Sequence, residues 1–126
     1  MRPIETHDLG DLYSREINNI DVKMKVTAKV YIDDTFDIED VEDAEDKKRF
    51  GRGDLCSYLV VIEATAEGLK GSDVLGGIWA SNNEDIFNSV EDNEMVEVAL
   101  DDLANNIKST AERLKRFIVK EDKENE

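Results

Sequence analysis

One stretch restricts the fold more than any other. From residue 20 to residue 32, Ile20, Val22, Met24, Val26, Ala28, Val30 and Ile32 alternate without a break with Asp21, Lys23, Lys25, Thr27, Lys29 and Tyr31. Successive side chains of a strand point to opposite faces, so this is a long strand with one buried side and one mostly polar side. Three lysines on the outer side suit an edge strand, or a strand lying opposite acids.

The flanking segments extend this strand into a small α+β fold. Upstream, Leu9, Leu12, Tyr13 and Ile17 recur at helical spacing, which predicts a short N-terminal helix with Asp8 as its N-cap. Downstream, Leu55 to Ala66 reads as a second strand, with Tyr58, Val60, Ile62 and Ala64 on one side and Leu59 and Val61 on the other. Apolar residues on both faces predict a central position. Glu67 to Gly71 reads as a turn into a third strand, Val74 to Ala80, which holds Leu75, Ile78 and Trp79. Gly76 and Gly77 inside that strand predict a bulge or a close backbone approach. Trp79 reads as a core residue, or functionally as an interface anchor.

Asn82 and Asn83 can cap the next helix. A helical turn from Glu84 to Val90 leads into a long helix from about Asn93 to Val119. Met95, Val96, Ala99, Leu100, Leu103, Ile107, Leu114, Phe117 and Ile118 form its apolar stripe. Acids cluster early in it and bases late, matching the helix dipole. The expected fold is a three-stranded antiparallel sheet, a long C-terminal helix on one face and a short N-terminal helix. Residues 1–120 form one α+β domain with an acidic insertion at 33–46, and 121–126 form a charged, frayed tail.

Charge bears on function. The 126 residues carry 31 acids against 16 lysines and arginines, a net charge of −15. Binding to nucleic acid or to an anionic membrane needs a cationic surface, so the balance points away from both and towards a basic protein. A lone cysteine, Cys56, excludes an internal disulfide. Met1 to Gly10 contains no apolar signal segment, and the run Leu59 to Ile62 is too short to span a bilayer. The expectation is a cytoplasmic protein.

Nine acids fall within fourteen residues: Asp33, Asp34, Asp37, Glu39, Asp40, Glu42, Asp43, Glu45 and Asp46. Ile38, Val41 and Ala44 recur every third residue, consistent with a short helix capped by Asp37 or with a disordered acidic loop. Lys47, Lys48, Arg49 and Arg52 come immediately after. A fully helical segment would span roughly 21 Å and carry a carboxylate about every 2.3 Å. Duplex DNA carries a charge about every 1.7 Å, a comparable density. Further acids sit at Glu84, Asp85, Glu91, Asp92, Glu94, Glu97, Asp101 and Asp102.

In charge and size the chain resembles the acidic DNA-mimic inhibitors of bacteriophages, the anti-restriction and anti-CRISPR class. That resemblance implies a non-enzymatic inhibitor docked on the basic, nucleic-acid-binding surface of a partner protein. The partner-binding acids would be the nine of residues 33–46 with Glu91, Asp92, Glu94, Glu97 and Asp101. The alternative is a small oligomeric ligand-binding or sequestering protein, with Leu59, Val61 and Trp79 forming an interface or pocket.

Other chemistries fit poorly. An EF-hand register from Asp33 puts Ile38 at the glycine position and Ala44 at the bidentate glutamate. Gly71 to Gly76 has the spacing of P-loop glycines, but Gly77 replaces the lysine and a strand comes next. Cys56 reads as a small core residue and His7 lies in an N-terminal segment expected to be flexible, so no nucleophile–base pair is indicated. Arg52-Gly53-Asp54 is read as coincidence. The expectation is no catalytic residue, no metal and no cofactor.

Overall fold

The structure, a computed structural model, describes residues 2–124, with side chains to residue 118. Its elements in chain order are strands β1 (Glu5–Ile17) and β2 (Ile20–Ile32), a 3₁₀ turn (Ile38–Asp40), helix α1 (Ala44–Arg52), strands β3 (Cys56–Ala66) and β4 (Leu69–Ala80), and helices α2 (Asn83–Asp92) and α3 (Met95–Glu124). The strands form one antiparallel sheet in the order β1-β2-β3-β4. Helices α2 and α3 cover one face of it.

Four strands replace the expected three because the N-terminal segment is a strand and not a helix. Leu9 and Tyr13 both pack against the core, and their spacing of four suits one face of a strand as well as one face of a helix. The β1–β2 register shifts between Asp8 and Gly10 and again between Gly10 and Tyr13, with Gly10 at φ 106°. Such bulges add residues to one strand and break its period of two. The one match peculiar to a helix is Leu12, three residues after Leu9, and in the strand it is 96% exposed.

Strand β2 alternates as its sequence requires. Met24, Val26, Ala28 and Val30 are buried, and the lysines face away from the helices. It is central, and its lysines meet acids on both neighbours: Lys25 Nζ lies 3.7 Å from Asp8 and Lys29 Nζ 3.2 Å from Glu63. Strand β3 is also central, with Val60, Ile62 and Ala64 fully buried. Both hairpin turns use residues at positive φ: Asn18 and Asn19 between β1 and β2, Glu67 and Gly68 between β3 and β4. This is the left-handed geometry of the two-residue turns that match strand twist. Strand β4 accordingly begins at Leu69, five residues earlier than its sequence predicts.

At Gly76–Gly77 the β3–β4 register slips by one residue, the expected bulge, and Gly77 adopts φ 68°. The closest backbone approach lies elsewhere, at Gly71. A Cβ there would sit 2.1 Å from Leu103 N and 2.5 Å from Ala99 O, so α3 rests directly on the strand. Two side chains of α3 satisfy backbone groups of this edge strand. Ser72 N donates to Asp102 Oδ2 (2.9 Å), and Asn106 Nδ2 donates to Lys70 O (2.7 Å). Four residues of helix and two of strand both span about 6–7 Å, so the two contacts stay in step.

Met95, Ala99, Leu100 and Leu103 of α3 are fully buried against the sheet, and Ile86 and Val90 of α2 are buried beside them. Each large apolar side chain buried here contributes about 1.5–3 kcal/mol. The apolar stripe predicts packing that continues through Ile118. Instead Leu114, Phe117 and Ile118 are 56%, 72% and 59% exposed, because the helix runs on past the packed core. The backbone of α3 continues as helix through Glu124, so the first four residues of the expected frayed tail are helical. The last two lie outside the described residues.

Candidate functional site

The acids singled out in the sequence fall into two groups on different sides of the sheet. The first, residues 33–46, lies in the crossing from β2 to β3. It is not one helix: a 3₁₀ turn capped by Asp37 precedes α1, which is capped by Asp43. Asp37 accepts from Glu39 N, and Asp43 accepts from Glu45 N and Asp46 N. Glu39 pairs with Lys47 at 3.1 Å and Asp46 with Arg49 at 3.8 Å. The carboxylates therefore do not form the evenly charged rod that a fourteen-residue helix would present. Asp34, Asp40, Glu42 and Glu45 have no side-chain hydrogen-bond or ion-pair partner among the described residues.

Asp33 ties this crossing to the sheet. Its carboxylate accepts from Thr35 Oγ1 (2.6 Å), Thr35 N (3.1 Å), Ser57 Oγ (3.2 Å) and Gly77 N (3.3 Å). The Thr35 hydroxyl above all, then Thr35 N, Ser57 and Gly77, hold its pKa below the ordinary value of 3.8, since they stabilise the charged form. Beyond it, Phe36 and Phe50 pack on Trp79, with ring centroids 4.5–6.2 Å apart. Trp79 alternates with the buried Ile78 and Ala80, so it points away from α2 and α3. It is 44% exposed, an anchor for the crossing and not the core residue expected. Phe36 and Phe50 also line a hollow of about 440 Å³, together with Ile32, Ile38, Asp33 and Asp37.

Three of the second group, but not Asp92 or Asp101, line a hollow of about 280 Å³ between β1 and the α2–α3 corner. Its apolar lining is Tyr13, Phe87, Val90 and Val96, and Glu91, Glu94 and Glu97 line it with them. The corner sets this arrangement. Helix α2 is capped after Asp92 by Asn93, whose N–H reaches back to Ser89 O. Glu94 then turns the chain at φ 52°, a left-handed conformation usually given to glycine or asparagine. That choice costs about 1–2 kcal/mol relative to glycine.

Not every acid here is available. The Arg15 guanidinium bonds both Glu97 and Asp101, the latter at 3.0 Å, fastening β1 to α3. Asp101 foremost, aided by Glu97 and opposed by burial, raises the Arg15 pKa. Glu91, Asp92 and Glu94 have no cationic partner among the described residues.

The apolar lining of this hollow has no clear signal in the sequence. A helical spacing in the first segment gives Tyr13 no place beside Phe87. His7, expected in a flexible segment, lies in β1, bonded to Glu5 at 2.8 Å and edge-on to Phe87. Cys56 is a half-buried free thiol. Among the described residues no three His, Cys, Asp or Glu side chains are placed to hold a metal ion. No described helix is long and apolar enough to cross a membrane. No protein-family profile, curated sequence or solved structure matches this chain.

Proposed function

We propose that this chain is a non-enzymatic binding protein that captures a basic, partly apolar segment of another protein. The observation that carries this reading is the hollow at the α2–α3 corner. Apolar side chains line it, and two glutamates without cationic partners among the described residues, Glu91 and Glu94, stand at its edge. A lysine- or arginine-bearing segment with one or two large apolar residues satisfies both demands. Charge speeds encounter and selects the partner, while apolar contact sets residence time. The strained Glu94 supports the same reading, because glycine would serve the fold better at that corner.

Partners of this chemistry include the basic surfaces of nucleic-acid-handling proteins, the finer form of the proposal. The crossing at residues 33–46 would serve as a second contact through Asp34, Asp40, Glu42 and Glu45. The broken carboxylate array favours docking on a basic protein surface over close imitation of a duplex.

Fluorescence anisotropy of a short labelled peptide alternating arginine with leucine tests the first statement. Binding is expected to weaken as salt rises and to weaken about tenfold, near 1.4 kcal/mol, in Glu91→Gln/Glu94→Gln. A peptide with serine for leucine should bind worse at equal charge. Glu94→Gly should keep or raise stability while losing affinity, separating the fold's demand from the site's. Binding indifferent to salt and to these substitutions defeats the reading. Displacement of duplex DNA from a non-specific DNA-binding protein tests the finer form.

A further inference from the structure

The end of α3 is the one described helical segment whose apolar residues have nothing to pack on. Residues 108–118 are almost entirely exposed, and Leu114, Phe117 and Ile118 continue the buried stripe of Met95, Ala99 and Leu103 beyond the core. Their charge is opposite to that of the rest of the chain. Lys108, Arg113, Lys115 and Arg116 stand against a single acid, Glu112, in a protein of net charge −15. This arm is a basic, apolar helical segment of about 16 Å. It has the two properties that the hollow lined by Tyr13, Phe87, Val90 and Val96 with Glu91 and Glu94 would select.

We infer that the arm of one copy docks in the hollow of a second copy, with Phe117 and Leu114 against the apolar lining and Arg113, which flanks them on the same side of the helix, beside Glu91 and Glu94. Hollow and arm lie at opposite ends of α3. Reciprocal exchange about a two-fold axis closes the assembly at two copies, with both arms covered. The proposal shares the hollow with the preceding reading but not the foreign partner. Association of two copies makes the mass concentration-dependent. Its charge pairing makes it strongest at low salt.

Sedimentation velocity on the full chain, over a concentration series at low and high salt, tests this. The mass should rise towards twice that of the chain at low salt and fall back as salt is added. Leu114→Ser/Phe117→Ser should remain monomeric and melt where the wild type melts at concentrations that keep it monomeric, since the arm touches little of its own body. Arg113→Glu should also be monomeric, and mixing it with Glu91→Lys/Glu94→Lys should restore dimers. A monomer at every concentration, or a dimer insensitive to both arm substitutions, overturns the proposal. Arm-dependent flotation of the monomer with anionic vesicles would overturn it too, by assigning the arm to lipid. Peptide binding retained by the monomeric arm variant would leave the binding reading standing on its own.

Discussion

Asp33 shows how one carboxylate can organise a long crossing. It ends β2, turns the chain through Thr35, and holds Ser57 of β3 and the bulged Gly77 of β4. These bonds favour its charged form, so its folded pKa is depressed. The stabilisation is therefore present above the ordinary value of 3.8 and is lost as pH falls through the lower folded value. Asp33→Asn should melt below the wild type near neutral pH. In strong acid, where the native carboxylate is itself protonated, the two should converge. Thermal melts across that range check it. A gap that persists in acid would mean that the asparagine disturbs the crossing by shape and not by charge.

Among the elements, the β1–β2 hairpin depends on its two-residue turn. Asn18 and Asn19 sit at φ 52° and 67°, where alanine is disfavoured by about 1–2 kcal/mol per residue. Asn18→Ala/Asn19→Ala should lower unfolding free energy by about 1–3 kcal/mol, and Asn19→Gly should match or exceed the wild type. Urea denaturation distinguishes the three. The paired asparagines between Ile17 and Ile20 are a visible hairpin signal, but Leu9, Tyr13 and Ile17 recur every fourth residue, a spacing that suits a helix as well as a strand, and Leu12 tips it towards the helix. Where no bulge intervenes, alternation is readable in full: β2, β3 and the glycine bulge of β4 follow from sequence, as do the Asn82 cap and α3. The candidate site is less legible. Its acids stand out by count, but which of them are neutralised by Arg15 or used as caps is a matter of tertiary position. The apolar half of the hollow comes from residues more than seventy positions apart.

At the scale of the whole molecule, the excess negative charge acts as distributed repulsion. Raising ionic strength from about 0.01 M to 0.1 M shortens its reach from about 30 Å to about 10 Å. The melting temperature should rise by a few degrees over that interval, and by less in Glu91→Gln/Glu94→Gln. A fall on adding salt would mean that pairs such as Lys29–Glu63 outweigh the repulsion. Within this charged body the missing side chain at Gly71 has a mechanical meaning. Strand and helix touch there with no space for a methyl group, so the site acts as the fulcrum of a rigid rod. Ile118, towards the tip, stands fifteen residues beyond Leu103, a lever of about 22 Å. A small tilt forced at the fulcrum by any larger residue would swing that tip sideways, so a hydrogen atom in the sheet aims the far end of the molecule.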